Sequence, residues 1–491
     1  MKSISFALCL AILLGNSIST AQDTASQEPA SPAETTAINS VIQSIIKIGT
    51  TDNQVQEHLN YLTNRIGPRL TGSEGMQAAC EWTRDRFEEM GLDNCRLEQW
   101  GEFPVGFERG PSYGLMLEPK QMKLEFGTNA WTAGTKGRVP GIAVMAPTTM
   151  EELETMRDKL DGAYVLTASA RSSRRRRSDT PEQGAKPNKR PSIAETRQVR
   201  EELLNCNIAG LVQSTSDERI LTGGRYKISM DQLPTIPVIS LLKKQWDEVQ
   251  GMLEEGKDVE LAFDIRNHFR KGPIPLFNVI ADIPGTEFPN EYVVVGGHID
   301  SWDGATGATD NASGCATTME AARILMAAGV KPKRTIRFML WSGEEQGLLG
   351  SRAWVEQNPK EVQNTSAVFV HDGGTNYVSG ITCTAAMRPD FESIFADVMK
   401  LDERTPFEIS TIETMRPRGG SDHVSFIQAG VPGFFWNQSG RATYRTTHHT
   451  QYDTFETVVP EYQKHSALVI AVGALGTANL DHLLSREGIQ N

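Results

Sequence analysis

Residues 335–357 read TIRFMLWSGEEQGLLGSRAWVEQ and contain the pattern that decides the fold. The stretch begins with a predicted strand, Thr335–Trp341, whose apolar end, Phe338–Trp341, indicates burial. Two adjacent carboxylates, Glu344 and Glu345, follow directly, and Gly347–Gln357 then has the composition of a helix. A buried strand, a charged loop and a helix in this order predict an α/β unit with its chemistry at the carboxyl end of the strand.

The same order of strand and helix recurs from Pro273 to the C-terminus. It predicts an α/β fold with a mainly parallel mixed sheet sandwiched by helices. Ligands of such sheets bind outside the carboxyl ends of the strands. We therefore expect His298 and Asp372, which follow predicted strands, to lie beside the glutamate pair. The other predicted strands are 278–283, 292–295, 367–370 and 431–436, and the other helices are 312–328, 389–401 and 460–484.

Histidines and carboxylates recur in this half of the chain in a pattern typical of a metal centre. Two histidines and three carboxylates can hold two metal ions with one carboxylate shared, and one glutamate then remains to move protons. Asp300 could orient His298 by accepting its ring proton, whereas Asp310 could equally be a helix N-cap. The groups are His298-x-Asp300, Asp310-Asn311, Glu344-Glu345, His371-Asp372 and His449-Thr450-x-x-Asp453.

Composition narrows the class of protein. The chain has 491 residues, a length that predicts two or three domains. Its net charge of −12 argues against a nucleic-acid partner, since an acidic surface repels phosphate. The cysteines are few and widely spaced, which argues against a disulfide scaffold.

The N-terminus has the pattern of an export signal. Lys2 precedes an apolar run, Ile4–Leu14, and small residues at 19–21 favour cleavage before Gln22. The run is too short to span a membrane, and no later segment contains eighteen consecutive apolar residues. We expect residues 1–21 to be a signal peptide and 22–38 a disordered leader. The protein would then be secreted or periplasmic, not transmembrane.

Residues 103–267 carry none of the metal-ligand groups and have a different character. Strand-like pieces at 162–166, 208–212 and 235–240, with a helix at 243–256, indicate a β-rich stretch that differs from 39–102 before it and 268–491 after it. The basic stretch 171–190 contains no interleaved aromatic residues, which favours a solvated loop over a nucleic-acid patch.

Four motifs carry a resemblance to a known family: GGHIDSWDGATGATDNASG at 296–314, PKRTIRFMLWSGEEQGLLGS at 332–351, SDHVSFIQAGVPG at 421–433 and HHTQYDT at 448–454. The chain resembles the co-catalytic dizinc aminopeptidase and glutamate carboxypeptidase family, and most of all its plasma glutamate carboxypeptidase branch. The resemblance covers nearly the whole mature chain and is looser over 103–267. There it implies an inserted protease-associated domain, and the basic loop 171–190 has no counterpart in it.

The resemblance also implies the ligands of two Zn²⁺ ions and the proton-transfer group. Glu344 would be the general base, and Asp300 would orient His298. His449 is preferred to His448 because the family places the ligand four residues before an aspartate, here Asp453. The five implied zinc ligands are His298 and Asp372 for one ion, Glu345 and His449 for the other, and Asp310 as the bridge.

The function implied is an exported dizinc metallo-exopeptidase that hydrolyses short unblocked peptides, of the aminopeptidase or dipeptidase type. Metal-activated water would attack, with a glutamate as the general base. A carboxypeptidase on the same site and a glutaminyl cyclase-like acyltransferase are the alternatives, and a non-catalytic binding protein is a third. The full set of five ligands argues against the last two. Homodimerisation is plausible from the resemblance.

Overall fold

The computed structural model describes residues 32–167 and 192–490. The predicted signal peptide, most of the predicted leader and the basic loop 171–190 lie outside these ranges. The first helix starts at Pro32, inside the predicted leader and seven residues before the expected start at Asn39. Within the two ranges, no helix is both long enough and apolar enough to cross a membrane.

Strands and helices alternate along the described chain after Pro273. The strands are β1 Asp93–Glu118, β2 Met122–Leu124, β3 Phe126–Thr128, β4 Val139–Met145, β5 Tyr164–Thr167, β6 Gly210–Ser214, β7 Val238–Leu241, β8 Glu260–Ile283, β9 Phe288–His298, β10 Arg334–Trp341, β11 Thr365–Val370, β12 Tyr377–Thr384, β13 Glu408–Ile412, β14 Gly433–Phe435 and β15 Asn437–Ser439. The α-helices are Pro32–Thr51, Val55–Asn60, Glu74–Glu89, Met150–Leu160, Ile193–Asn205, Lys243–Glu254, Ser313–Ala327, Leu349–Gln357, Pro359–Gln363, Arg388–Ile394, His423–Gln428, Tyr444–Thr447 and Pro460–Ala478. π-Helical turns lie at Tyr61–Ile66 and Ala308–Ala312, and 3₁₀ turns at Val398–Lys400 and Phe455–Thr457.

One twelve-stranded mixed sheet runs through the described chain, in the order β14-β11-β9-β10-β8-β4-β5-β6-β7-β3. Off this path, β1 pairs with β8, and β2 pairs with β1. Strands β14, β11, β9 and β10 are mutually parallel, and so are β4, β5, β6 and β7. Between the two parallel sets, β8 is antiparallel to β10 of the first set and to β4 of the second. The predicted mainly parallel mixed sheet is therefore confirmed.

Helices cover both faces of the part of the sheet that contains β9, β10 and β11. In β9, Val293 and Val295 join the larger core beneath the helices Ser313–Ala327 and Pro460–Ala478, whereas Val294 joins Trp354 and Phe426 on the opposite face. Each of these side chains is at most 1% exposed. Full burial of such a side chain contributes about 1.5–3 kcal/mol, so a strand buried on both faces anchors the loop that follows it.

The long antiparallel pair of β1 and β8 was not predicted, except for residues 278–283 at the end of β8. It extends from Asp93 opposite Asp282 to Glu118 opposite Glu260. Through β8 it connects the strands β9, β10 and β11 to residues 103–267, called the inserted region below. Its glycines, prolines and several register shifts interrupt the alternation of apolar and polar residues by which a strand is predicted. The pair crosses the predicted borders at 102/103 and 267/268 without a break, and those borders remain a prediction.

Other differences concern element ends. The helix predicted at 389–401 ends at Ile394 and is followed by a separate turn, and the helix predicted at 460–484 ends at Ala478. At the second end Asn479 is the C-cap residue, and its Oδ1 accepts a hydrogen bond from the backbone N–H of Lys333 at 3.1 Å. The sequence also gave no prediction of the three-stranded sheet β13-β12-β15.

Candidate metal centre

Three parallel strands bring their following loops to one edge of the sheet. β9 ends at His298, β10 is followed by Glu344 and Glu345, and β11 is followed by Asp372. Because β9 pairs in parallel with both β10 and β11, the carboxyl ends of all three face the same side. The structure thus assembles these predicted residues as the sequence indicated.

The first half of the site is centred on His298. Its Nε2 lies 3.1 Å from Asp372 Oδ1 and 3.2 Å from Asp310 Oδ1, and these three residues form a group that could hold a metal ion. The other ring nitrogen, Nδ1, lies 3.0 Å from the backbone carbonyl oxygen of Asp300. Donation from Nδ1 to that oxygen leaves Nε2 with a lone pair directed at the carboxylates, as a metal ligand requires.

The second half of the site is centred on His449. Its Nε2 lies 2.9 Å from Glu345 Oε2 and 3.3 Å from Asp310 Oδ2. His448 is also near, with Nε2 3.8 Å from Asp310 Oδ2. His448, Asp310 and His449 form a second group whose ligand atoms lie close enough together to hold a metal ion. Glu345 is 3% exposed and His448 is 48% exposed. The geometry therefore leaves two candidates, Glu345 and His448, for the third ligand beside His449.

The carboxylates of the site lack enough hydrogen-bond donors among the described residues, which suits them to binding cations. Asp310 Oδ2 and Glu345 Oε1 are buried and accept no hydrogen bond within the described chain. Burial raises the pKa of Glu345 well above its usual range, and the nearby Asp310 carboxylate adds to the rise. Crowded buried carboxylates are relieved by a bound cation. Imidazole nitrogens and carboxylate oxygens are ligands typical of zinc.

Comparison with known proteins agrees with this arrangement. Residues 278–473 match the model of peptidase family M28. We call these residues the M28 domain below, after the family whose model they match. The predicted resemblance to this class of enzyme is confirmed, and so is the predicted activity class, a metallopeptidase that hydrolyses peptide bonds.

Relatives extend beyond this M28 domain. Carboxypeptidase Q of Mus musculus is 28% identical over 440 residues, which cover 89% of this chain and 88% of that protein. A peptidase M28 precursor from Shewanella amazonensis shares the fold with a TM-score of 0.65 at 23% identity, covering 91% of this chain and 98% of that one. A zinc aminopeptidase from Bacillus subtilis aligns with a TM-score of 0.57 at 17% identity, covering 89% and 97%. The two structural likenesses show the fold.

Asp300 has a different geometry in the M28 domain from the one predicted. Its carboxylate was expected to orient His298, but Oδ1 lies 3.5 Å from Nδ1 of that ring, while the backbone carbonyl of Asp300 lies closer. The carboxylate instead accepts a hydrogen bond from Thr71 Oγ1 at 2.8 Å and from the backbone N–H groups of Glu344 and Glu345, each at 3.3 Å. Asp300 therefore holds the glutamate loop as well as the histidine.

Asp453 positions the bridging candidate of the M28 domain, a role that sequence reasoning missed. Its Oδ1 accepts from the backbone N–H of Thr309 at 2.6 Å and from its hydroxyl at 2.9 Å, and its Oδ2 accepts from the N–H of Asp310 at 3.2 Å. Burial raises the pKa of Asp453 to about 7. The available signal was the spacing from His449, which was used only to choose between two histidines.

The inserted region also contacts this centre. The backbone N–H of Thr222 donates to the carbonyl of His449 at 2.9 Å, and Leu221 and Thr450 form an isolated antiparallel bridge. His449 itself has a left-handed backbone, with φ of 54°. A non-glycine residue adopts that conformation at a cost, so it persists where neighbouring contacts fix it.

Glu344 borders an open cavity of about 180 Å³ shared with Asp310 and Asp372. Phe435 and Tyr444 form its aromatic wall. Burial raises the pKa of Glu344 well above its usual range, and Asp372 adds to this while His298 opposes it. A carboxylate beside the ligands, at the edge of a cavity, is in reach of a bound substrate as proton transfer requires.

His371 takes no part in either half of the site. It is fully buried, and burial lowers its pKa to about 4. Its backbone carbonyl accepts a hydrogen bond from Asn311 Nδ2 at 2.8 Å. This agrees with its interpretation as a strand-end residue and not a ligand.

Proposed function

We propose that the chain is an exported dizinc exopeptidase that acts on short unblocked peptides, of the aminopeptidase or dipeptidase type. One observation carries the proposal. The two carboxylate oxygens of Asp310 face different histidines, His298 at 3.2 Å and His449 at 3.3 Å. A carboxylate that faces one histidine with each oxygen suits a bridge between two cations. Asp372 beside His298 and Glu345 beside His449 would then be the remaining carboxylate ligands, one for each ion. The zinc aminopeptidase of Bacillus subtilis has the same fold.

Bound zinc ions supply a Lewis acid for the scissile carbonyl and increase the acidity of a nearby water. In the proposed mechanism, His298, Asp310, Glu345, Asp372 and His449 hold the ions. The carboxylate of Glu344 accepts the proton of the attacking water and then donates it to the leaving nitrogen. Asp300 keeps the loop of Glu344 in place through its hydrogen bonds to the backbone.

Charge in the cavity supports recognition of a free amine. Its lining within the described chain includes the carboxylates of Asp310, Glu344 and Asp372 and contains no lysine or arginine. Bound zinc ions would neutralise Asp310 and Asp372, which leaves the carboxylate of Glu344 to attract an ammonium group. A terminal carboxylate usually pairs with a lysine or arginine, and the described lining offers neither. The names of the relatives, carboxypeptidase Q and zinc aminopeptidase, cover both ends of a peptide. The electrostatics favour the amino end.

Hydrolysis of matched dipeptides tests the proposal. A free dipeptide, its N-acetylated form and its C-amidated form are each incubated with the enzyme, with and without a chelator. We expect chelator-sensitive cleavage that is lost on N-acetylation. Loss on C-amidation alone would make the enzyme a carboxypeptidase. Cyclisation of an N-terminal glutamine peptide, without hydrolysis, would favour the acyltransferase alternative.

Export and assembly are proposed with the function. The positive, apolar and small-residue order of residues 1–21 supports a cleaved signal peptide and a secreted or periplasmic location. N-terminal sequencing of the purified protein tests this, with Gln22 expected as the first residue. Light scattering decides between a monomer and the homodimer that the resemblance suggests.

A further inference from the structure

Arg69 is a buried arginine whose partners are all backbone carbonyls. Its side chain has no exposed surface. The five hydrogen bonds of its guanidinium within the described chain go to carbonyl oxygens, none to a carboxylate. Burial of a guanidinium without an ion-pair partner is costly, by several kcal/mol in general. Such a group persists where its hydrogen bonds hold the surrounding chain in one arrangement.

The three shortest bonds of Arg69 reach both ends of one loop. Nε donates to the carbonyl of Ile299 at 2.8 Å. Nη1 donates to the carbonyl of Thr306, and Nη2 to that of Gly307, each at 2.8 Å. Ile299 directly follows His298, and Gly307 lies three residues before Asp310. One planar guanidinium therefore joins the segments that carry two metal-ligand candidates, and its fork of donors is rigid.

The loop is shaped to receive this side chain. Gly307 has a left-handed backbone with φ of 62°, and a Cβ there would lie 2.3 Å from Ser301 Cβ and 2.9 Å from Arg69 Nη2. Ser301 also makes two hydrogen bonds of 3.1 Å with the backbone of Arg69, one through its hydroxyl and one through its N–H. A residue larger than glycine does not fit at position 307, so the loop can pack against Arg69 in only one way.

The charge of Arg69 complements the acidic site and leaves its oxygens free. Burial lowers the pKa of the guanidinium, while Cys315 and the carboxylates of Asp453, Asp300 and Asp310 oppose that effect. An arginine stays protonated under these conditions. Because it donates to carbonyls, the cation offsets nearby negative charge without occupying a carboxylate oxygen that a metal ion needs.

We propose that Arg69 is a positioning residue for the metal centre, which fixes the separation of His298 and Asp310 by bonding to both ends of the intervening loop. The inference rests on the proposed dizinc function. The neighbouring Thr71 extends the same support, since its hydroxyl donates to Asp300, which in turn holds the Glu344–Glu345 loop.

The test compares zinc affinity with stability in Arg69→Met and Arg69→Lys. Arg334→Met is the matched control, because Arg334 is 2% exposed at the opposite end of β10, where it pairs with Glu291 at 2.6 Å. Zinc dissociation constants come from competition with a chromophoric chelator, and stability from urea unfolding of the metal-free proteins. We expect all three variants to lose stability, and the two Arg69 variants alone to bind zinc 10- to 100-fold more weakly. The lysine does not rescue, since one ammonium cannot reach both ends of the loop.

Two results would overturn the inference: wild-type zinc affinity in Arg69→Met, or restoration of that affinity by lysine, which would make charge and not geometry the cause. If neither Arg69 variant folds, Ser301→Ala is used instead, because it removes the hydroxyl that accepts the backbone N–H of Arg69 and leaves the guanidinium in place. We expect Ser301→Ala to bind zinc more weakly than the wild type, and unchanged binding would refute the positioning role of Arg69. A wild-type protein that binds no zinc would refute the proposed function, and this inference with it.

Discussion

Asp310 is the residue on which both halves of the metal centre depend. It faces His298 with one oxygen and His449 with the other, and Asp453 holds its backbone N–H. Glu344, by contrast, lies beside the ligands without contacting either histidine at ion-pair distance within the described chain. The geometry therefore separates the residues that would hold metal from the residue that would move a proton.

Substitution Glu344→Gln tests that separation. Glutamine keeps the size of the side chain but cannot accept the proton of water, so kcat should fall by about 10²–10⁴. Zinc content, measured by elemental analysis of the dialysed protein, should equal that of the wild type. The variant Glu345→Gln serves as the contrast, since it should lose zinc as well as activity. Normal turnover in Glu344→Gln would remove this residue from the mechanism.

Residue-level prediction from the sequence was accurate where a side chain follows a strand. His298, Glu344, Glu345 and Asp372 lie together because parallel strands end at one edge, and a pattern of strands predicts that edge. Arg69 and Asp453 were harder to assign. Their roles depend on backbone carbonyls and N–H groups that they contact far along the chain, and a single sequence contains no signal for such contacts.

At the scale of elements, the segment 220–222 of the inserted region is hydrogen-bonded to the loop that carries His449, and we call this contact the clasp. Ile220 and Gln451 exchange hydrogen bonds, with Ile220 N donating to Gln451 Oε1 at 2.8 Å and Gln451 N donating to the Ile220 carbonyl at 3.2 Å. Thr222 adds a bond to the carbonyl of His449 itself. The long β1–β8 pair carries the inserted region to this position.

Substitution Thr222→Pro tests this clasp, because proline removes the backbone N–H that donates to His449. We expect weaker binding of one of two zinc ions and little change in the other, seen as a biphasic chelator titration. The matched control is Thr222→Ala, which keeps the N–H and should titrate like the wild type. Equal titration curves for the two variants would show that the clasp does not support the histidine.

Elements were predictable in proportion to their regularity. Strands β9, β10 and β11 each contain a short apolar run, and their predicted positions differ from the observed ones by a few residues. The β1–β8 pair was missed because its register shifts and prolines disturb the period of two. Pairing between residues more than a hundred positions apart leaves no local pattern.

For the molecule as a whole, buried neutral histidines make folding sensitive to acid. Burial lowers the pKa of His465 to about 4, below the value of about 6.5 for an unfolded histidine. Between these values the unfolded chain binds a proton that the folded chain does not, so stability falls as the pH drops from about 6.5 to about 4. His423 is buried with a similarly lowered pKa of about 4.

Urea unfolding of metal-free protein at pH 7 and pH 5 measures this effect. The wild type should lose stability relative to His465→Gln by up to about 1.4 kcal/mol per pH unit in this window. His482→Gln is the control, since His482 is 49% exposed and should show the wild-type slope. A slope in His465→Gln equal to that of the wild type would show that His465 titrates normally.

The clasp on His449 has a consequence for how the protein matures. Arg69, Thr71 and the segment 220–222 precede every metal-ligand candidate along the chain, and His449 comes last. A polypeptide that emerges N-terminus first therefore builds the supports before it delivers the groups that need them. The second half of the metal centre would therefore be completed only when the loop of His449 docks onto the inserted region, so we expect activity only after the C-terminal part of the chain has folded.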